Sequence, residues 1–287
     1  MNLTTYNFSV RKNNCYEMIK RQLKKIVYRR NSKKYLSALD FGLRDNQFYL
    51  ISYPKSGNTW VRIILANLLN ETGEEIALHN VGKIIPDSNS SSQVSAAFEP
   101  GSIFKRLPIQ VLKSHDPYLS YYKDKKVILI VRDGRDAVNS YLHYQRARLT
   151  GEITRENIIK GHFTLPIGTW SEYAVDWHKG KCKNKLVIKY EDLIRDPISE
   201  VERICQFVGL ATKREILEKA IEASSFNKLK TLEEKYGHFD DRRKDKGEES
   251  AFVRKGAVGG AVNEFSEGEM RLFWKYCTKG MELLGYK

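Results

Sequence analysis

The sequence predicts a three-layer α/β/α fold on a mainly parallel central sheet, and three observations carry that prediction. Residues 47–53 read as an apolar strand that enters the tight turn Pro54-Lys55-Ser56-Gly57-Asn58-Thr59. Val61, Ile64, Leu65 and Leu68 then follow at helical spacing between Trp60 and Asn70. Residues 126–131 are nearly continuous in apolar side chains, the pattern of a parallel strand covered on both faces. Strand and helix patterns alternate from there on, as crossover connections between parallel strands require.

Each element can be read in turn. In residues 15–30, Tyr16, Ile19, Leu23, Ile26 and Val27 recur at helical spacing with cations between them. The pattern predicts an extra helix packed on the domain by that stripe, a reading preferred to a basic amphipathic helix resting on an anionic membrane or a partner. Residues 1–44 are accordingly read as a basic N-terminal extension and 45–287 as one domain. Further strands are expected at 110–114, 126–131 and 186–190, with helices from Ala137, over 197–208 and over 212–222. Residues 71–105, with serines from Ser88 to Ser92 and Gly/Pro punctuation, read as loop. Residues 232–250, dense in both signs of charge, read as a mobile segment. No internal repeat or long low-complexity tract is visible.

The chain has 287 residues, 41% of them hydrophobic and 29% charged, which suits one large core. No apolar run reaches the ~18–20 residues of a membrane span, and no secretory h-region opens the chain. Cys15, Cys182, Cys205 and Cys277 stand far apart without a CxxC pair, against a zinc knuckle or disulfide framework. A cytoplasmic location fits this set. The formal charge of +14 points to an anionic partner. Residues 11–35 alone hold ten Lys and Arg against the single acid Glu17.

The turn at 53–60 carries chemistry. N–H groups at the start of a helix lack partners and sit at the positive end of its dipole, so a phosphate fits there. Lys55 adds a full charge, and Ser56 and Thr59 add hydroxyl donors. The order Lys-Ser-Gly-x-Thr is not the G-x-x-x-x-G-K-[ST] of NTPases, and no acid for a nucleotide-bound Mg²⁺ is apparent.

The string Tyr53-Pro54-Lys55-Ser56-Gly57-Asn58-Thr59-Trp60 resembles the loop that soluble PAPS-dependent sulfotransferases place at the 5′ side of 3′-phosphoadenosine 5′-phosphosulfate (PAPS). Three more segments agree, in the family's order: Lys113-Ser114-His115, the segment from Val131 to Tyr141, and Arg254-Lys255-Gly256-Ala257-Val258-Gly259. The resemblance spans residues 45–265. It implies a P-loop-like sulfotransferase fold, PAPS as donor, PAP as product and a small-molecule acceptor bearing a hydroxyl or amine. It implies His115 as general base, with Lys55 at the leaving oxygen and Lys113 in support. Lys55, Ser56, Gly57, Asn58 and Thr59 would hold the 5′ side. Arg132 and Ser140 would hold the 3′-phosphate, with Arg254, Lys255 and Gly256 closing over it. Trp60 and Phe226 would sandwich the adenine, with Tyr190 near its amino edge.

The residue types suit those roles. Histidine is the side chain whose ordinary pKa lies nearest neutrality, and arginine grips phosphate with a planar fork. A 3′-phosphate grip also separates PAPS from ATP. Arg135 is read instead as a salt-bridge partner of Asp133 or Asp136. The chain departs from the family where Gly260-Ala261-Val262 replace the frequent Asp-Trp-Lys, and no K-T-V-E-like dimer motif is visible, so the oligomeric state stays open. The acceptor is expected to enter under loops near 80–105, 145–165 and 236–252. The readings set aside are a P-loop nucleotide kinase, which needs Walker A and magnesium, and a basic nucleic-acid-binding protein, for which no recognition motif is present. No metal is expected to be required.

Overall fold

Four short apolar segments pair edge to edge with every strand parallel, in the order β2-β1-β3-β4. They are β1 (Gln47–Ser52), β2 (Gln110–Ser114), β3 (Lys126–Val131) and β4 (Asn184–Lys189). The computed structural model describes residues 23–36, 46–164, 167–237 and 258–287. β1 and β2 are buried at every position, because helices cover both faces of the sheet. β4 is the partly exposed edge.

Alternation along the strands sorts the core into two layers. Phe48, Leu50, Val111, Ile128, Ile130 and Ile188 pack on one face against α2 (Asn58–Leu68), α8 (Tyr190–Arg195), α9 (Pro197–Val208), α10 (Arg214–Ala223) and α11 (Phe226–Tyr236). Tyr49, Ile51, Leu112, Val127, Leu129 and Val131 pack on the other against α5 (Gly134–Arg146), α6 (Arg155–Ile159), α7 (Trp170–Lys179) and α12 (Glu267–Leu284). The helices that follow β1 and β3 therefore lie on opposite faces, although those strands are neighbours. Their connections part at the C-terminal strand ends, which is where a ligand crevice opens in sheets of this kind.

Three expectations are refined. The stretch read as loop over 71–105 holds a 3-10 turn at Val81–Lys83 and the short helices α3 (Ser91–Phe98) and α4 (Ile103–Arg106). Two of its serines are caps: Ser90 Oγ accepts from Gln93 N–H and Ser102 Oγ from Lys105 N–H. Likewise α5 begins at Gly134 rather than Ala137, because the Asp133 carboxylate accepts the Arg135 N–H. Of the segment expected to be mobile, residues up to Tyr236 belong to α11, and 238–250 lie outside the described residues.

A larger correction concerns the N-terminus. Residues 23–36 are helical (α1), but the helix does not dock through Leu23, Ile26 and Val27, which are 57%, 61% and 56% exposed; Tyr16 and Ile19 of the same stripe lie outside the described residues. It docks through polar contacts: Lys25 pairs with Glu172 at 2.7 Å, Arg29 pairs with Asp176, and the Tyr28 hydroxyl donates to Asp116 Oδ1 at 2.5 Å. Leu36, 1% exposed, closes the far end. Helical spacing identified an amphipathic helix, while the charge pattern on α7 chose the face that turns inward.

Asp116 is the anchor for this corner. Buried itself, it also accepts Ser114 Oγ at 2.7 Å and Tyr122 Oη at 2.9 Å. Asp116→Ala strands three hydroxyls and is expected to cost about 3 kcal/mol in urea unfolding, against about 1 kcal/mol for Tyr28→Phe. Equal losses for the two variants would show that the bond to α1 carries all of the anchoring. Cys182, Cys205 and Cys277 are free thiols, and Cys15 lies outside the described residues. No described helix is long and apolar enough to cross a membrane.

Candidate active site

A cavity of about 680 Å³ opens at the C-terminal ends of β1, β2 and β3. Among the sequence-predicted residues, Lys55, Gly57, Asn58, Thr59, Trp60, Lys113, His115, Arg132, Ser140, Tyr190 and Phe226 line it. Ser56 does not: its hydroxyl is buried beneath the loop with no hydrogen-bond partner. Arg254, Lys255 and Gly256 lie outside the described residues. From the expected acceptor-side loops come Asp87, Asn89 and Ser90, then Gln145 and Arg148.

The loop after β1 is shaped by two left-handed residues, Lys55 at φ 65° and Gly57 at φ 98°. Gly57 occupies the N-cap of α2 and supplies no side-chain cap; Trp60 N–H turns back to Gly57 O at 3.0 Å, which leaves the Asn58 and Thr59 N–H groups at the cavity. A Cβ at Gly57 would stand 2.4 Å from the Tyr190 ring. Gly57→Ala therefore adds a clash to the cost of a left-handed non-glycine residue, about 1–2 kcal/mol for the backbone alone. A thermal melt should show a clear loss of stability, and a wild-type midpoint would contradict the packing described.

Arg132 bridges the crevice. Its Nη1 donates to the Lys55 carbonyl at 3.1 Å, its guanidinium lies 4.3 Å from the Tyr190 ring centre, and Asp136 Oδ2 stands 3.7 Å from Nη2. Asp136 also accepts Gly259 N–H at 2.8 Å and Ala261 N–H at 3.2 Å, tying the C-terminal loop to α5. Sequence reading treated Asp136 only as a partner for Arg135. Its place in the first turn of α5, directly before the 259–261 contact, needed the tertiary fold. Arg135 pairs with Asp133 and donates to the Lys287 carbonyl, as the salt-bridge reading expects. On the far wall, Trp60 Nε1 donates to Ser224 O at 2.9 Å, and the Trp60 ring meets Tyr190 edge to face.

His115 Nδ1 lies 2.7 Å from the Ser52 carbonyl. A carbonyl only accepts, so Nδ1 carries the hydrogen and Nε2 is left as the basic nitrogen of the neutral ring. Burial lowers the His115 pKa to about 3, with Lys113 and Lys55 adding to the effect and Asp87 opposing it. The ring is therefore neutral across the physiological range. Lys55 Nζ sits 4.9 Å above the Tyr144 ring.

Lys113 is neither a solvated strand-end charge nor directed only at the cavity. Buried, it pairs with Asp87 at 2.6 Å, while its N–H donates to Pro86 O and its carbonyl accepts from Ser88 N–H. The 86–88 segment thus rides on the outer edge of β2, a placement no sequence signal marked. Burial alone would raise the Asp87 carboxyl, but Lys113, Arg62 and His115 outweigh it and hold it at about 2. Arg62, buried with Nε on Ile85 O, is pushed down to about 10 by burial. Among the described residues no group of His, Cys, Asp and Glu is arranged to hold a metal ion.

Known proteins resemble this chain in sequence and fold. Sulfotransferase 1 family member D1 of Mus musculus is 29% identical over 261 residues, covering 84% of this chain and 85% of that protein. Sulfotransferase 2B1 of Homo sapiens is 29% identical over 261 residues, covering 83% of this chain and 67% of its own. Among solved structures, mouse sulfotransferase SULT7A1 complexed with PAP superposes with a TM-score of 0.62 at 25% identity, covering 87% of this chain and 89% of that one. Retinol dehydratase in complex with retinol and PAP shares the fold at a TM-score of 0.64 and 19% identity, over 87% of this chain and 86% of its own. The sulfotransferase domain model matches residues 45–285, across the sheet and every cavity-lining element described, and the chain belongs to the sulfotransferase family.

Proposed function

We propose that this sulfotransferase transfers the sulfuryl group of PAPS directly to a hydroxyl, or an amine, of a small-molecule acceptor, with His115 as general base. The observation that carries the reading is the Nδ1 bond of His115 to Ser52 O, which leaves Nε2 basic in a cavity that Lys55 and Arg132 also line, the two cationic cradles proposed for phosphate. PAPS fits the residues present: the uncapped start of α2 beside Lys55 suits one phosphate, and Arg132 with Ser140 suits a second. Ser56, Gly57, Asn58 and Thr59 complete the first cradle, Ser56 by shaping the loop from beneath. Arg254, Lys255 and Gly256 would close the second. Trp60, Phe226 and Tyr190 supply the flat apolar walls that an adenine needs.

PAPS supplies the activated sulfuryl group. The chain's part is positioning and charge. His115 Nε2 takes the proton from the acceptor oxygen as that oxygen bonds to sulfur. Lys55 stabilises the negative charge left on the phosphate oxygen as the old S–O bond breaks, so the products are a sulfate ester, PAP and one proton. Lys113, held by Asp87, keeps a cation beside His115 and disfavours premature protonation. The reaction needs no metal in this reading, and the protein works in the cytoplasm.

The test is an acceptor screen with labelled PAPS in EDTA, alongside calorimetry with PAP. Transfer to at least one hydroxyl or amine and a PAP complex in EDTA are expected. A chain that binds ATP as tightly as PAP, or binds neither, would overturn the donor assignment. Transfer only after a divalent metal is restored would overturn the metal-free part.

A further inference from the structure

The outward face of α1 is the feature the sulfuryl-transfer site leaves unexplained. Leu23, Ile26, Val27, Arg30 and Lys34 follow the i, i+3, i+4, i+7 and i+11 spacing of a single helical face. All five are exposed, and Lys24 and Lys33 flank them in the same state. The opposite face is fastened to the domain through Lys25, Tyr28, Arg29 and Leu36. The helix is thus held with three aliphatic side chains more than half exposed and its remaining cations pointing the same way.

We propose that this face docks on an anionic lipid bilayer surface. The argument is charge complementarity combined with the kind of apolar residue present. Leu, Ile and Val gain by leaving water for an acyl boundary, and Arg and Lys at the same level meet acidic headgroups. A nucleic acid would use the cations but offers no apolar medium for the aliphatic residues, so it is the less complementary occupant. The helix adds to the domain without entering the catalytic cavity: none of its residues lines that cavity. Its Tyr28 bond to Asp116, beside His115, means a docked membrane would hold the enzyme by an element fixed to the active-site strand.

Co-sedimentation of the full chain with phosphatidylcholine vesicles, with and without phosphatidylserine, tests this. Binding is expected only with phosphatidylserine and should weaken as salt rises. Two variants probe the face: Leu23→Ser with Ile26→Ser and Val27→Ser, and Arg30→Glu with Lys33→Glu and Lys34→Glu. Because these side chains are exposed, both variants should melt like the wild type. At about fivefold per cation near an anionic surface, loss of the three cations alone weakens binding about a hundredfold and the three added carboxylates weaken it further, and the aliphatic variant should also lose binding. Vesicle binding that survives both variants would overturn the proposal, as would indifference to phosphatidylserine. Tighter binding to random-sequence RNA, or a wild-type dimer dissociated by the variants, would assign the face to another occupant and overturn it equally.

Discussion

His115→Ala should lower kcat by about 10²-fold to 10⁴-fold, the usual contribution of a positioned base, while PAP affinity is unchanged. The bond from Nδ1–H to Ser52 O fixes which nitrogen is basic, and no other histidine lines the cavity among the described residues. Steady-state kinetics with PAP calorimetry checks both halves; a wild-type kcat would remove His115 from the chemistry. The pH profile adds a second readout. With the His115 pKa lowered to about 3 by burial and its cationic neighbours, the acid limb of kcat/KM should fall below the ordinary imidazole range. Lys113→Met removes one of those cations, so that limb should move up toward the ordinary value.

Stability follows the same linkage. Between about pH 6.5 and 3 the unfolded chain holds a proton on this histidine that the folded chain does not, so this group's contribution to stability falls as pH drops through that window. Asp87, held low, loses its contribution further down, as pH falls from about 3.8 through about 2.

Arg132→Ala should weaken PAP by about 10-fold to 100-fold, the loss of charge-assisted bonds to one phosphate. Adenosine 5′-phosphosulfate, which has no 3′-phosphate, should be affected much less. The variant also removes the bond to the Lys55 carbonyl and the stacking on Tyr190, which would loosen the loop for both ligands. Arg132→Lys separates the effects by keeping the charge while removing the fork and the flat face. It should recover part of the PAP affinity and little of the loop order. Equal losses for the two ligands in Arg132→Ala would mean that Arg132 supports the loop and does not read the 3′-phosphate.

Much of the site is legible along the chain because its parts are local. A strand, a turn with a left-handed glycine and a helix are neighbours in sequence, so residues 53–60 declare both their conformation and their charge. The same holds for Lys113 to His115 and for the start of α5. Asp87, Arg62 and Asp136 were missed for the opposite reason. Each pairs with a group distant in sequence, 26, 23 or 123 residues away, which no local pattern marks even where, as for Asp136, the surrounding segment is itself legible.

The basic extension shows where sequence pattern stops. Periodicity gives an amphipathic helix over 15–30, of which residues 23–30 are described and helical, yet periodicity has no sign: it cannot say whether the apolar or the polar face turns inward. Glu172 and Asp176 on α7, with Asp116 at the end of β2, settle that choice by pairing with Lys25, Arg29 and Tyr28. The sequence alone thus determines the parallel α/β frame and the strand–turn–helix at 47–68, and its resemblance to the family points to His115, all on contiguous segments. The tertiary structure decides the tautomer of that histidine, the buried Asp87–Lys113 pair beside it and the outward face of α1. Those depend on contacts between strands and helices that only the folded chain brings together.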